Sequence, residues 1–351
     1  MNKIKIGVIF GGMSTEHDVS IVSGTSVIQN LDREKYDVYP IYVSKDGMWF
    51  KYIKQIEEIK ILHISEEPQE LENIKNPLDY LKKLDVIFPV LHGLYGEDGT
   101  IQGLLELIKV PYVGCKVLGA CNSMDKVYTK IILDKAKIKQ VKYAYIRKYK
   151  DSYIYVDEEF NETTLSLNEV SEKISKKISF PVFVKPSNSG SSVGIKKVNN
   201  IEGLKEAIEF ASLYDVKILI EEGKDVRELE CGVLGNENVK ASCVGEILSA
   251  EEFYSYDAKY KSDNSRVVIP AGITKEEENE IRHLAVKAFK ALDAKGLSRV
   301  DFFIDKKTGE IYLNEINTMP GFTEISMYPK LWEKSGIKYS ELLDKLINLA
   351  M

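Results

Sequence analysis

The sequence has no stretch of apolar residues long enough to cross a membrane, and its 54 acidic residues outnumber its 48 basic ones. A membrane-spanning helix needs about 20 consecutive, mostly apolar residues. A net charge of −6 argues against nucleic acid as the main partner, because nucleic acid selects basic surfaces. We therefore expect a protein that neither spans a membrane nor binds nucleic acid.

Cysteine is also scarce. The chain has four, at Cys115, Cys121, Cys231 and Cys243. Their spacing fits no metal site, and none lies in a catalytic pattern with histidine. The N-terminal MNKIKIGVIFGG has the pattern of a strand and a glycine turn, not of a secretory signal. Both observations favour a cytoplasmic protein with buried, reduced thiols.

What the sequence does contain is a succession of strand and helix patterns typical of α/β proteins, without internal repeats or low-complexity segments. Hydrophobic residues make up 44% and charged residues 29%, which predicts a globular protein with ample core. A chain of 351 residues suggests two or three domains. We place domain boundaries near residues 114 and 220, which gives domains 1–114, 115–220 and 221–351.

The most informative stretch is GLSRVDFFIDKKTGEIYLNEINTMPG, toward the C-terminus. Two apolar strand patterns flank a Lys-Lys-Thr-Gly turn, which predicts a β-hairpin. Glu315 and Asn317 are two residues apart and share one strand face, and Asp301 of the first strand can lie opposite them. Strict alternation also places Ile311 and Leu313 on that face, where a core would be expected. Three hard oxygen ligands predict an Mg²⁺ site, with a solvated hairpin face as the alternative.

Two loops at strand ends carry polar residues that suggest a ligand. Glu16 follows the glycine turn after the first strand, at the edge of the sheet where ligands of α/β proteins bind. It could equally be an acidic residue that complements the dipole of the following helix. His92 opens the glycine-rich loop HGLYGEDG after the third strand. His92 could contact a ligand, or it could be a structural histidine whose hydrogen bonds are satisfied within the protein; the sequence leaves both interpretations open.

Two lysines suggest an anionic ligand. Lys126 lies in the first turn of a helix for which we predict Ser123 as the N-cap, and a cation there is unfavourable to the helix dipole. Lys185 ends a strand and is followed by the loop SNSGSSVG, which offers backbone N–H groups and hydroxyls. This is not the P-loop pattern, but it favours a phosphate chain over a plain hairpin tip.

Carboxylates and a long loop complete the pattern. Glu221 and Glu222 end a buried strand and Glu228 follows, a spacing that suits an adenine amino group and ribose hydroxyls. Solvated surface acids are the more ordinary explanation. The aromatic-rich segment EEFYSYDAKYKSD has no periodicity, which predicts a lid over residues 250–265.

Six motifs now stand in order along the chain: HGLYGEDGTIQG, MDK, VKPSNSGSSVG, FYSYDAKY, SRVDFF and NEINTMPGFT. In order and spacing they resemble the D-alanine–D-alanine ligase family of the ATP-grasp superfamily, over essentially the whole chain. The resemblance implies an N-terminal Rossmann-like parallel sheet followed by two α+β ATP-grasp lobes that hold ATP. It also implies ligation of two D-alanines through a D-alanyl phosphate, with release of ADP and phosphate, for peptidoglycan precursors. A homodimer is a further implication.

The resemblance also implies roles by position. The ATP-binding residues would be Lys126, Lys185, Ser191, Ser192, Val193, Glu221, Glu222, Gly223, Lys224, Glu228, Phe253, Lys259, Asn314 and Glu315. Asp301, Glu315 and Asn317 would hold two Mg²⁺ ions, or Mn²⁺ in their place. The substrate residues would be Glu16, His92, Tyr260, Arg299, Gly321, Ser326 and Met327. Gly223 and Lys224 stand where many relatives have apolar side chains that pack on adenine.

For catalysis, the resemblance implies that Glu16, Ser191 and Tyr260 form a hydrogen-bonded bridge, and that Arg299 and the N–H of Gly321 stabilise an oxyanion. A ligase that forms D-Ala-D-Ser or D-Ala-D-lactate is the first alternative. Relatives that form D-lactate products lack the tyrosine at position 260, whereas serine-forming relatives differ subtly around residues 322–327. A non-catalytic ATP-binding protein is the second alternative, and the intact polar set of the hairpin argues against it.

Overall fold

The computed structural model describes residues 3–53, 56–248 and 266–351, with only the backbone of Glu57. These residues form three β-sheets with helices packed against them. The whole predicted lid over residues 250–265, with Phe253, Lys259 and Tyr260, lies outside the described residues. The predicted α/β class is confirmed. One mixed sheet, in which half of the strand pairs are parallel, is followed by two antiparallel sheets.

The first sheet belongs to the N-terminal part of the chain. Its strands are β1 (Ile4–Gly11), β2 (Tyr36–Val43), β3 (Trp49–Tyr52), β4 (Leu71–Asn73) and β5 (Val86–Pro89). Their order is β4-β3-β2-β1-β5, and β1 is parallel to both neighbours. The helices here are α1 (His17–Asn30), α2 (Pro77–Leu81) and α3 (Thr100–Ile108), with a 3₁₀ turn at Ile56–Glu58. Strand β1 is buried continuously from Ile6 onward, as expected for a parallel strand that is covered on both faces.

The second sheet is antiparallel throughout, in the order β10-β9-β11-β6-β7-β8. Its strands are β6 (Tyr143–Tyr149), β7 (Ser152–Val156), β8 (Glu162–Leu165), β9 (Val182–Pro186), β10 (Lys196–Val198) and β11 (Lys217–Glu222). The helices of this region are α4 (Val117–Met124), α5 (Lys126–Lys135), α6 (Leu167–Lys177) and α7 (Ile201–Ala211). Because β11 continues through Glu222, this sheet extends slightly beyond the predicted boundary at residue 220.

The third sheet contains the predicted hairpin. Its strands are β12 (Val226–Gly235), β13 (Lys240–Leu248), β14 (Arg266–Val268), β15 (Gly296–Asp305) and β16 (Ile311–Asn317). All neighbours are antiparallel, in the order β14-β13-β12-β15-β16. The helices are α8 (Lys275–Ala291), α9 (Met327–Lys334) and α10 (Tyr339–Ala350). Helix α8 packs its buried face on this sheet, and its start is held by a capping box between Thr274 and Glu277.

The hairpin departs from strict alternation at one position. Asp301 pairs with Glu315, but the next residue, Phe302, pairs with Leu313. Asn314 is therefore an extra residue on β16, which is a β-bulge. A bulge shifts the side chains on its two sides to opposite faces relative to regular pairing. The predicted opposition of Asp301 and Glu315 is confirmed.

The bulge overturns the other half of the hairpin prediction. Ile311 and Leu313 belong to the buried cluster beneath the third sheet. Glu315 and Asn317, beyond the bulge, pair with the residues of β15 that line a cleft. The expectation that these four residues share a face is wrong, because the extra residue separates the apolar pair from the polar pair.

The predicted N-cap at Ser123 is also wrong. Ser123 lies inside α4, and α5 begins at Lys126 with Asp125 as its N-cap. The Asp125 carboxylate accepts from the N–H groups of Val127 and Tyr128, each at 3.1 Å. Asp125 can do this because its backbone is extended between the two helices, as an N-cap requires.

The cysteine prediction is only partly correct. All four cysteines are free thiols, and Cys115 and Cys231 are buried. Cys121 is exposed on α4, and Cys243 is half-buried. Among the described residues, no helix combines the length and apolar character that a membrane crossing requires.

Candidate active site

A cleft of about 510 Å³ is lined by loops of the first sheet and by strands of the second and third sheets. Almost every predicted site residue that the structure describes lines this cleft; the exceptions are Val193 and Gly223. The N–H of Gly223 donates to the carbonyl of Pro181 at 2.8 Å. The fold thus brings together residues from positions 16 to 327 of the chain.

Arg299 lies on β15 at the third-sheet side of the cleft. Its Nε and Nη2 donate to Oδ1 and Oδ2 of Asp301, each at 2.7 Å. Its Nε also lies 3.0 Å from Oε2 of Glu230 on β12. Burial opposes the charge of Arg299, but Asp301 and Glu230 outweigh it, so the pKa of Arg299 is well above its ordinary value. Glu230 was missed by sequence reasoning, although its place two residues after Glu228 on a strand predicts the same face.

The polar residues of the hairpin form one donor set. Asp301 lies opposite Glu315, and Nδ2 of Asn317 donates to Oδ2 of Asp301 at 3.0 Å. This orientation leaves the amide oxygen of Asn317 unused by that bond. Two carboxylates and an amide oxygen are ligands that suit Mg²⁺, and Mn²⁺ accepts the same set. The residues therefore fit a divalent cation, which Asp301, Glu315 and Asn317 would hold.

Glu221 is not a surface acid: it lies on β11 and is only 3% exposed. Its Oε2 is 2.5 Å from Nζ of Lys185 on β9, and its Oε1 is 2.6 Å from Nζ of Lys130 on α5. Burial opposes ionisation of Glu221, but the two lysines lower its pKa to about 2. Lys130 was missed by sequence reasoning. Its spacing of four residues from Lys126 on a helix was the signal that could have found it.

The Ser/Gly loop after β9 is held from several sides. Lys126 donates from Nζ to the carbonyl of Ser189 at 2.6 Å. Ser191 and Ser192 have positive φ values of 48° and 61°, in the left-handed region that side chains rarely adopt. Such strain persists where surrounding contacts impose it, and it often marks ligand-binding loops.

Glu16 connects this loop to the first sheet. A Cβ added at Gly190 would lie 2.2 Å from Oε1 of Glu16, and one added at Gly93 would lie 3.0 Å from the same atom. The carboxylate of Glu16 is thus seated between the HGLYGEDG loop and the Ser/Gly loop. The structure brings Glu16 into the neighbourhood of the predicted partner Ser191, while Tyr260 lies outside the described residues.

His92 uses both ring nitrogens within the protein. Nδ1 lies 2.9 Å from the carbonyl oxygen of Met319, and Nε2 lies 2.9 Å from Oγ of Ser23. Since a carbonyl only accepts, Nδ1 carries the proton and Nε2 accepts from Ser23. Burial lowers the pKa of His92 to about 4. These contacts favour the structural interpretation of His92, as a neutral link between the first sheet and the loop after β16.

Glu97 forms a second link to the same loop, and sequence reasoning did not single it out. Its carboxylate accepts from the N–H of Gly93 at 3.0 Å and from the N–H of Met319 at 2.9 Å. Burial, with a contribution from Glu16, raises the pKa of Glu97 to about 7. The loop after β16 is therefore positioned by residues of the N-terminal part of the chain.

Ser326 and Gly321 meet at the end of this loop. Oγ of Ser326 accepts from the N–H of Thr323 at 3.0 Å, and a Cβ on Gly321 would lie 2.6 Å from that oxygen. Met327 opens α9 and is buried. Lys224 also lines the cleft, and its Nζ lies 3.5 Å from carboxylate oxygens of both Glu222 and Asp305. The family resemblance implied an apolar side chain at this position.

Two family profiles match the chain. Residues 5–115 match the D-ala D-ala ligase N-terminus, and residues 150–348 match the D-ala D-ala ligase C-terminus. A D-alanine–D-alanine ligase of Acetivibrio thermocellus is 50% identical over 100% of this chain and 96% of its own length.

Solved structures agree. The D-alanine-D-alanine ligase from Coxiella burnetii superimposes with a TM-score of 0.85 at 32% identity, over 100% of this chain and 94% of that one. The VanG D-Ala:D-Ser ligase from Enterococcus faecalis superimposes with a TM-score of 0.84 at 36% identity, over 100% of both chains. Because two family profiles match, a relative is 50% identical over the whole chain and the solved structures share the architecture, the chain belongs to the D-alanine–D-alanine ligase family.

Proposed function

We propose that the protein joins two D-alanines to D-alanyl-D-alanine at the expense of ATP, for peptidoglycan precursors. The observation that carries this proposal is the composition of one cleft. Lys185 and the Ser/Gly loop lie on one side of it, and Arg299 with the Asp301–Glu315–Asn317 set lies on the other. Cationic groups facing a hard oxygen donor set are what phosphoryl transfer requires.

In the first step, a carboxylate oxygen of one D-alanine attacks the γ-phosphorus of ATP. The bond from that phosphorus to the bridging oxygen breaks, and its electron pair leaves with ADP. Glu16 binds the ammonium group of this D-alanine, and Lys126 and Lys185 neutralise the phosphates. Two Mg²⁺ ions, held by Asp301, Glu315 and Asn317, would neutralise further charge on the transferring group. The product is D-alanyl phosphate.

In the second step, the amine of the second D-alanine, having lost a proton, attacks the acyl carbon. The tetrahedral intermediate carries negative charge on its oxygen, which Arg299 and the N–H of Gly321 stabilise. The carbon–oxygen bond to phosphate then breaks, and phosphate leaves. Ser326 and Met327 line the site of the second D-alanine. Water must be excluded because acyl phosphates hydrolyse, and this is the role we propose for the lid over residues 250–265, with Tyr260, Phe253 and Lys259.

The remaining features are proposals of the same kind. Domains 1–114, 115–220 and 221–351 would carry the N-terminal sheet and the two lobes. The enzyme would work as a cytoplasmic homodimer. Helices α3 and α4 are in contact, and each carries an exposed leucine: Leu107 is 85% exposed and Leu118 is 58% exposed. These exposed apolar side chains support a second copy of the chain as the partner of the two helices. A Leu107→Lys/Leu118→Lys variant that sediments like the parent protein would contradict this surface.

A ligase that uses D-serine as the second substrate is the other candidate. The observation behind it is the likeness to the VanG D-Ala:D-Ser ligase at 36% identity, which is lower than the 50% identity to the D-alanine–D-alanine ligase of Acetivibrio thermocellus. The deciding experiment measures ADP release with and without D-alanine, then offers D-alanine, D-serine and D-lactate in competition. D-Ala-D-Ala as the main product supports our proposal. Mainly D-Ala-D-Ser selects the alternative, and no stimulated ADP release contradicts both.

A further inference from the structure

Lys130 is a buried cation in the wall of the cleft for which the reaction above has no use. Its side chain is 2% exposed, and it projects from α5 toward Glu221, with Nζ 2.6 Å from Oε1. The ring of Tyr143 lies on another side, 5.3 Å from Nζ. A lysine is rarely buried this completely without a carboxylate partner. Lys130 and Glu221 are thus a fixed ion pair within the fold.

Lys185 makes the second contact to the same carboxylate, from the other side. Its Nζ lies 2.5 Å from Oε2 of Glu221, but its side chain is 15% exposed. Lys185 lies at the end of β9, where the Ser/Gly loop begins. Glu315 and Glu228, in the facing sheet, also act on its charge. Of the two lysines on Glu221, Lys185 is therefore the one that can reach a ligand in the cleft.

The charges of the three residues explain why two lysines are needed. If Lys185 moves to bind a phosphate, Oε2 of the buried Glu221 carboxylate loses its cationic partner. A single buried charge without a partner is strongly unfavourable. With Lys130 still in place, Glu221 stays paired, and its Oε2 becomes an acceptor that faces the cleft. An ionised carboxylate only accepts hydrogen bonds, so it selects an amino group over a carbonyl oxygen.

We propose that Lys130 is a positioning residue, the permanent counter-ion of Glu221, which allows Lys185 to exchange Glu221 for a nucleotide phosphate and leaves Glu221 to select a purine with an exocyclic amine. This inference rests on the proposed function, since it assumes a nucleotide in the cleft. It predicts that Lys130 affects discrimination between adenine, which carries an amino group, and hypoxanthine, which carries an oxygen at that position.

Equilibrium binding of ADP and IDP to the full-length protein tests the inference without turnover. Lys130→Met removes the charge at similar length. The preference for ADP over IDP should fall by about tenfold, because Lys185 must then stay on Glu221. Lys148→Met is the matched control. Lys148, on β6 of the second sheet, is likewise a little-exposed lysine, and it is paired with Glu209 and lies near the ring of Tyr153. It does not line the cleft.

A purely structural role for Lys130 would weaken ADP and IDP binding by the same factor. An ADP-to-IDP ratio in Lys130→Met within about twofold of the parent ratio overturns the inference. Lys130→Gln, which keeps a donor but no charge, gives the same test if Lys130→Met does not fold. In a Glu221→Met background, Lys130→Met should leave the ratio unchanged, since the pair acts as one unit; additive effects would also overturn the inference. A parent protein that binds ADP but does not ligate D-alanine would contradict the proposed function alone.

Discussion

Arg299 holds both carboxylate oxygens of Asp301, its neighbour two positions along β15, through Nε and Nη2 at 2.7 Å each. A planar guanidinium and a carboxylate match each other in this two-point contact. In the proposed mechanism Asp301 also binds a metal ion, so ion and guanidinium share one carboxylate. Glu230, 3.0 Å from Nε, is then the second anion that keeps Arg299 in position. The proposed oxyanion site and the proposed metal site would thereby be coupled.

Arg299→Lys tests this coupling. Lysine keeps the positive charge but cannot make a two-point contact with Asp301. We expect kcat to fall by about 100- to 1,000-fold, the usual effect of losing one oxyanion donor. The measurement is steady-state ADP release with both substrates varied, with circular dichroism as the folding control. A kcat within about threefold of the parent would show that Arg299 does not act on the reacting atoms.

Glu315→Gln tests the metal set. The amide keeps the size of the side chain but removes one of the two carboxylates, so we expect a loss of at least about 100-fold in turnover with the fold preserved. Titration with Mg²⁺ should show weakened metal dependence. Asn314→Asp, at the neighbouring bulge, places an added carboxylate beside the set and serves as the comparison. Near-normal turnover of Glu315→Gln would make the metal assignment wrong.

Glu97 predicts a pH dependence of stability. Burial raises its folded-state pKa to about 7, above the ordinary 4.5, so the native protein binds a proton that the unfolded chain releases between these values. This contribution is complete below about pH 4.5 and is lost as the pH rises to about 7. Glu97→Gln removes it. The free energy of unfolding of Glu97→Gln, relative to the parent, should therefore rise from pH 5 to pH 8.

Urea unfolding of both proteins at several pH values measures this difference. Glu333→Gln, an exposed acid on α9, controls for the loss of one charge. A parallel pH course for the parent protein and Glu97→Gln would contradict the raised pKa.

A substitution at Gly190 tests whether steric contact with Glu16 alone lowers activity. An added Cβ would lie 2.2 Å from Oε1 of Glu16, so Gly190→Ala must displace that carboxylate or the loop. We expect kcat/KM for the first D-alanine to fall by about 100-fold, as for a misplaced binding group. Gly103→Ala is the matched control: it lies within α3 with open space around it, and it should raise the free energy of unfolding by about 0.4–1 kcal/mol. Equal activity of the two variants would refute the contact.

Tyr260 carries a prediction that comes from the sequence alone. Tyr260→Phe should raise the KM for the second D-alanine more than the KM for ATP, because a broken hydrogen-bonded chain costs roughly 1–3 kcal/mol in the closed complex. Discrimination against D-lactate should also loosen. The measurement is the partition between dipeptide and depsipeptide at equal D-alanine and D-lactate. An unchanged partition with both KM values unchanged would remove Tyr260 from this role.

Sequence patterns were most reliable where the deciding physics is local. The turn at Lys306–Gly309 and the apolar runs beside it predict the hairpin because turn chemistry and strand periodicity act over a few residues. The strand that ends at Lys185 and the loop after it are read in the same way. The family resemblance then assigned roles to residues that periodicity alone left open, such as Glu221, for which the surface explanation was the more ordinary one.

The hairpin also shows where local rules stop. Strict alternation predicts that Leu313 and Glu315 share one face of β16. The bulge at Asn314 instead separates the two side chains. A bulge forms when the register on both sides must satisfy a core below and a site above, and that requirement comes from the whole sheet. The same limit made Ser123 a plausible N-cap, although the chain turns at Asp125.

The sequence by itself indicated the α/β class, the hairpin with its polar residues, and the loops in which the lysines and Glu16 lie. Only the tertiary structure decided which of these groups share partners: Lys130 with Glu221, Arg299 with Glu230, His92 with Met319. The physical reason is that a buried polar group must find its partner inside the fold. That partner belongs to another strand or loop, which only the packing of the three sheets brings within reach.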